Sequence, residues 1–413
     1  MNTISKDALQ KVYRDQADEA QKRFEKLCKA YGEKFGDAEV AFFTAPGRTE
    51  IIGNHTDHNG GKVIAASIDL DTIGVAAKND SGTIEIVSEG YPAFSVDIDH
   101  LENIPKENGT ISLVAGMIEC TRKRGFQVGG FNLYASTNVI AAAGVSSSAS
   151  FEMLVATIIN TFFNEGKMTF SDYAIIGQYG ENVWWNKASG RMDQMACAVG
   201  GPILLDFADE IEYEKIPFGF DEYGYTMVIT NTGKGHADLS AEYSAVPNEM
   251  FSVAKHYGKE RLCELDGLDF LSDISEVRKA VNNDRAVLRA MHFFSETNRV
   301  KLMAEKVQKK DIEAILKLID ASGRSSYELL QNCFLADDPT EQPISLALAL
   351  TGHFLFEKGR GICRVHGGGF AGVIQTIIPK EDEKDYVDYM SEYYGRENVY
   401  PMNIRQTGAV CLG

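Results

Sequence analysis

The feature that most constrains the fold is a single unit in the first half of the chain. "GGFNLYAST" (129–137) has the composition of a strand and runs into "NVIAAAGVSSSAS" (138–150). A strongly periodic helix follows: Phe151, Leu154, Val155, Ile158, Ile159 and Phe162 fall at i, i+3, i+4, i+7, i+8 and i+11, one face of a 3.6-residue repeat. A strand and a helix joined by small residues and serines leave the first helical N–H groups unpaired beside backbone that can be approached closely. Together with the helix dipole this suits an anion. The loop lacks the G-x-x-x-x-G-K-[ST] pattern of a Walker loop. A serine-rich helix cap is the plainer alternative for the same residues.

Around this unit the pattern mixes helices and strands without regular alternation. Residues 6–35 read as one amphipathic helix capped by Ser5, with Leu9, Tyr13, Ala20, Phe24, Leu27 and Tyr31 on its stripe. Residues 38–44, 62–78 and 83–88 read as strands, with "NDSG" (79–82) as a turn. A second helix is expected over about 171–188, a strand over 200–207, and helix over 237–260 and most of 276–335. "GICRVHGGGFAGVIQTIIP" reads as strand, glycine turn, strand. The expected class is α+β, in two domains divided near residue 208 (1–208 and 209–413).

Composition narrows the functional classes. The 413 residues are 44% hydrophobic with a formal charge of −18, enough for a sizeable core and unsuited to nucleic acid or anionic membranes. No apolar run reaches the roughly 18 residues of a membrane helix, and the charged N-terminus is unlike a signal peptide. Seven scattered cysteines, without a C-x-x-C pair, suit a reduced, cytoplasmic protein.

Three further stretches carry chemistry. "APGRTEIIGNHTDHNGGKV" (45–63) concentrates an arginine, two histidines, an aspartate and two asparagines between apolar flanks, either a solvated turn or the wall of a site. Its His55-Thr56-Asp57-His58 run could be read as a metal cluster, but zinc wants three or four ligands and no Cys/His partner set accompanies it. "GRMDQMACAVGG" (190–201) sets Asp193 among apolar residues, where a carboxylate needs a partner or does chemistry; Arg48 is a candidate partner. "HGGGFAG" (366–372) has glycine or alanine at five of seven positions.

In this order these stretches resemble the motifs of the GHMP family of small-molecule kinases, and within it those of the galactokinases. Gly47-Arg48-Thr49-Glu50-Ile51-Ile52-Gly53-Asn54-His55-Thr56-Asp57-His58-Asn59-Gly60-Gly61 is similar to G-R-V-N-L-I-G-E-H-T-D-Y-N-G-G. Gly144-Val145-Ser146-Ser147-Ser148-Ala149-Ser150 resembles the phosphate loop, Met192-Asp193-Gln194 the M-D-Q motif, and Gly367–Gly372 the third glycine motif. The resemblance implies a two-domain fold with the active site in the cleft, ATP and Mg²⁺ as cofactors, and phosphorylation of a sugar such as galactose at its anomeric hydroxyl by a chain expected to be monomeric. It implies that Asp193 is the base and Arg48 the stabilising charge. It further implies that Asn54, His55, Asp57, Gly190 and Tyr243 hold the sugar, and that 144–150 holds the triphosphate. Ser148 and Glu181 would then be ligands to Mg²⁺. One departure stands out: Glu50 and Asn54 have exchanged residue types relative to the motif, and His58 replaces its tyrosine. Galacturonate or an N-acetylhexosamine are therefore alternative substrates. A catalytically silent sugar- and ATP-binding regulator, or a kinase of mevalonate- or homoserine-type alcohols, are alternative functions. Trp184 and Trp185 receive no role.

Overall fold

The computed structural model describes residues 4–140, 144–187, 189–209, 212–233, 239–370 and 372–413. Its strands form two sheets. The first holds β1 (Ala41–Ile52), β2 (Lys62–Lys78), β3 (Thr83–Ser88), β4 (Phe94–Asp97), β5 (Phe131–Thr137), β6 (Pro202–Asp206) and β7 (Glu212–Lys215). The second holds β8 (Tyr225–Asn231), β9 (Ile362–Val365), β10 (Val373–Pro379) and β11 (Val399–Met402), in the order β11-β8-β10-β9. The last strand, β12 (Val410–Cys411), returns to the first sheet and pairs with β1. All pairings are antiparallel except β3 with β5.

β2 organises the first sheet. Its N-terminal part pairs with β6 and its C-terminal part with β5, while β1 runs along its other edge. Both faces are covered, so its apolar residues need not alternate with polar ones. Phe43, on one face of β1, joins the core under the helices Thr110–Lys123, Ser147–Phe163 and Phe170–Tyr179. Phe42, on the opposite face, packs with Phe24, Leu27 and Tyr31 of the N-terminal helix Ala17–Phe35. The two sheets are joined through a core in which Ile51, Ile52 and Ile64 meet Ile377 and residues of the helices Asp284–Gln308 and Ile312–Ser325.

Several expectations agree with these elements: the strands 62–78 and 83–88 coincide with β2 and β3, and the glycine turn joins β9 to β10. Others are corrected. The helix expected over 6–35 is broken, because Arg14 takes φ of +51° and a short 3₁₀ turn separates Lys6–Tyr13 from Ala17–Phe35. The strand expected over 38–44 starts at Ala41 and continues to Ile52, through the first half of the polar motif. The helix expected over 171–188 ends at Tyr179 and passes into a wide π-helical turn, Gly180–Trp184. Residues 141–143, 234–238 and 371, parts of segments read above, lie outside the described residues. A division after residue 208 does not coincide with a break between sheets, since β7 and β12 both belong to the first.

Candidate active site

Arg48 lies on β1, where the β1–β2 register shifts between Pro46 and Arg48. Such a bulge re-aims the side chain that follows it. The residue before it must be glycine: a Cβ at Gly47 would stand 2.7 Å from the Val145 carbonyl. That carbonyl accepts the Arg48 N–H at 3.1 Å, which seats the glycine-serine loop on β1. The Arg48 guanidinium then forks onto Asp193, with Nε to Oδ1 and Nη2 to Oδ2 both at 2.7 Å, and Nη1 donates to the Gly144 carbonyl. The Ser146 hydroxyl donates to Asp193 Oδ2 as well.

Asp193 sits in the first turn of the short helix Met192–Val199. Burial pushes its pKa up, but the Arg48 charge and the donated hydrogen bonds outweigh burial and hold it below the ordinary carboxylate range. A third of its side chain is exposed, so the ionised carboxylate is accessible. The pairing of Asp193 with Arg48 expected from their apolar company is therefore present.

The helix Ser147–Phe163 begins beside this pair, with Ser146 in the left-handed region at φ +55°. Ser148 Oγ donates to Glu181 Oε1 at 3.1 Å. Glu181 is buried and belongs to the π-helical turn, a distortion that recurs at functional sites. Its other oxygen accepts from Gln194, which also bonds Glu152 at 3.0 Å. Burial and the Glu181 charge raise the Glu152 pKa well above its usual range. A hydroxyl and a carboxylate oxygen this close are the hard oxygen donors that Mg²⁺ takes together with phosphate and water, so the pair fits that ion. The Lys187 ammonium rests on both groups, at 3.2 Å from Ser148 Oγ and in an ion pair with Glu181.

Two cavities flank this point. The first, of about 550 Å³, is walled by Tyr91, Phe94, Ile111, Phe151 and Trp185 and reaches Ser147 and Ser148. The two tryptophans thus part company: Trp185 lines this cavity, whereas Trp184 is buried and donates its N–H to Glu119 at 2.6 Å.

The second cavity, of about 660 Å³, is polar and draws Arg48, Asn54, His55, Asp57 and Gly190 from one part of the chain and Tyr243, Gly367 and Gly368 from the other. All five residues expected to hold a sugar therefore line one space. Gly190 is close to Asp57, where an added Cβ would lie 2.8 Å from Oδ2. Tyr243 donates to the Gly369 carbonyl at 2.9 Å and lies against Gly368, where a Cβ would come within 2.5 Å of its ring. His55 takes φ of +55°, and its Nε2 lies 2.8 Å from the Gly368 carbonyl; the His58 Nδ1 accepts from Asn59. One nitrogen of each imidazole, His55 Nε2 and His58 Nδ1, is thus engaged by the protein, which disfavours the metal-cluster reading of 55–58.

The exchanged pair, Glu50 and Asn54, has an internal use. Asn54 donates to Glu50 Oε2 at 3.0 Å and to the Gly367 carbonyl at 2.7 Å, and its own oxygen accepts from Asn332 at 2.8 Å. Glu50 is buried against an equally buried Arg364, Nη2 to Oε1 at 3.0 Å. The carboxylate missing at 54 is present at 50, where Arg364 balances it. Arg364, Asn332 and Lys187 carried no sequence assignment, and Gln194 was named only as part of the M-D-Q motif. For Arg364 a signal existed: an arginine inside the strand that leads into the glycine motif.

Two histidines, half-buried His58 and fully buried His292, set a pH limit. Burial pushes His58 down to about 4 despite the nearby Asp57, and pushes His292 down to about 4 despite Glu296. An unfolded imidazole titrates near 6.5, so below that pH the unfolded chain takes up protons that the folded chain refuses. Stability from these sites is complete above about pH 6.5 and is lost as pH falls toward 4. Differential scanning calorimetry should show the unfolding temperature falling steadily from pH 7 to 5; a flat profile would contradict this.

The description "Galactokinase galactose-binding signature" matches residues 29–78, and "GHMP kinases N terminal domain" matches 112–201. A galactokinase of Lactococcus lactis subsp. lactis is 30% identical over 390 residues, covering 91% of this chain and 92% of the relative. The chain belongs to the galactokinase family. A galactokinase of Clostridium tetani is 28% identical over 378 residues, with 90% and 92% covered. The crystal structure of the Lactococcus lactis galactokinase complexed with galactose superposes with a TM-score of 0.80 at 25% identity, covering 94% of this chain and 99% of that one. The mevalonate kinase of Methanococcus jannaschii shares the fold alone, with a TM-score of 0.60 at 15% identity over 91% of this chain and all of that one. The fold is therefore the GHMP kinase fold, and the chain is a sugar kinase of this family.

Proposed function

We propose that this chain is an ATP-dependent galactose 1-kinase, transferring the γ-phosphoryl group of ATP to the anomeric hydroxyl of galactose in the polar cavity. The observation that carries this reading is Asp193. Its ionised carboxylate is clamped by Arg48 where the sugar-wall residues meet the N-terminus of the helix Ser147–Phe163.

Phosphoryl transfer asks the protein mainly to position groups and neutralise charge. In this reading the sugar lies against His55, Asp57, Gly190 and Tyr243. His58 Nε2, buried and without a partner among the described residues, adds a group that a hydroxyl could satisfy. The anomeric O–H passes its proton to Asp193 as the oxygen–phosphorus bond forms and the bond to the leaving ADP oxygen breaks. Arg48 keeps Asp193 ionised before the reaction and offers its charge to the transferring group. The residues Gly144 to Ser150 hold the triphosphate on unpaired N–H groups and hydroxyls. Ser148 and Glu181 would hold Mg²⁺, which would supply further neutralisation of the phosphate charge. The apolar cavity beside Trp185 takes the adenine.

Asn54 acts through the wall rather than on the sugar in this reading, because both its donors and its acceptor are engaged by protein. Galactose is accordingly favoured over galacturonate and N-acetylgalactosamine. The test is ADP release with ATP and Mg²⁺ across these three sugars. Galactose should be turned over best. Preference for either of the others would move the substrate while keeping the chemistry. Binding of sugar and ATP without turnover would establish the silent regulator instead.

A further inference from the structure

Among the described residues Lys187 is the one cation bound to the groups assigned above to the metal, and the family resemblance gave it no part. Its ammonium is ion-paired with Glu181, 3.2 Å from Ser148 Oγ and 5.4 Å from the centre of the Trp185 ring. Its backbone N–H donates to the Glu181 carbonyl at 2.9 Å, which ties the lysine to the π-helical turn. The two partners differ sharply in exposure, at 49% for the Lys187 side chain and 2% for Glu181. Glu181 is thus an immobile buried acid, and Lys187 a cation that can leave.

We infer that Lys187 is a resident counter-cation that a divalent ion must displace from Glu181 and Ser148. A carboxylate buried this deeply requires a compensating charge, and its neighbours Gln194 and Glu152 carry no positive charge. In the empty chain the ammonium provides it. An ammonium and a divalent cation cannot both occupy the same oxygen, so the lysine opposes entry of free metal. A metal–nucleotide complex brings phosphate oxygens that accept the displaced ammonium, so the site admits metal with nucleotide and discriminates against metal alone. Lys187 is therefore a positioning residue that orders binding. The identity of the displacing cation rests on the phosphoryl-transfer reading above.

The test is Mn²⁺ binding to the full chain, read by electron paramagnetic resonance without nucleotide or sugar. Lys187→Met keeps the stem on Trp185 and removes the charge; it should bind Mn²⁺ about tenfold tighter than the unaltered protein. Lys187→Gln, with a different polar replacement, should shift in the same direction. Adding Glu181→Gln to Lys187→Met should abolish the gain. Equal or weaker Mn²⁺ affinity in both lysine variants, or a gain that survives Glu181→Gln, overturns the inference. Because no turnover is read, the outcomes separate: a chain that phosphorylates no sugar yet shows the gain keeps Lys187's role and loses the kinase reading, and the reverse result does the opposite.

Discussion

Replacing Asp193 with asparagine should lower the turnover of galactose by about 10²–10⁴-fold, the range over which a positioned general base contributes. Asparagine keeps an oxygen for one Arg48 N–H and loses the ability to take a proton. It also leaves Arg48, only 7% exposed, without its counter-charge. An unpaired buried charge costs about 3–5 kcal/mol, so a drop in unfolding temperature should accompany the lost activity. The two effects can be separated by calorimetry. If the variant still binds galactose within a few-fold of the unaltered protein while turnover collapses, Asp193 acts in the chemistry. If turnover is retained, Asp193 is a structural partner of Arg48 and the proposed base is wrong.

A comparably large effect is expected far from any reacting atom. Arg364→Met should destabilise the fold by about 3–5 kcal/mol, because it strands Glu50 as a buried anion. For a chain of this size that corresponds to a loss on the order of 3–6 °C in unfolding temperature. The double variant Arg364→Met, Glu50→Met removes both charges and should recover most of the loss, since replacing a whole buried pair with apolar side chains is often close to neutral. Galactose affinity should still fall in the double variant. Glu50 holds Asn54, and Asn54 holds the Gly367 carbonyl in the cavity wall. Recovery of stability together with full sugar affinity would show that the Glu50–Asn54–Gly367 chain does not shape the site.

These cases also mark how far the sequence could be read. Asp193 and Arg48 were legible because each is a charge in apolar company, and a buried charge demands an opposite one wherever the chain puts it. The strand and helix patterns of β2, β3 and the helix Ser147–Phe163 were legible because burial imposes a period on the side chains. The break at Arg14 was not, because the apolar stripe continues on both sides of it: Leu9 and Phe24 belong to the same core. The π-helical turn that aims Glu181 was hidden for a similar reason, since a single inserted residue disturbs the helical period by less than the tolerance of the pattern.

The motifs, their order along the chain and the residue types able to bind anion, sugar and metal were determined by the sequence alone, because local geometry and the demand of every buried charge for a partner are written into residue identity. What only the tertiary structure decided is where the partners come from. Arg364 on β9 neutralises Glu50 on β1, 314 residues away. Gly367 closes the wall beside Asn54, 313 residues away, and Lys187 lies on the acid assigned to the metal. Nothing in the local sequence selects among the many cations and carbonyls that could have served. The choice is made when β12 returns to β1 and two helices lock the second sheet against the first, since ion pairs and hydrogen bonds act over a few ångströms and only packing brings such distant residues within that range.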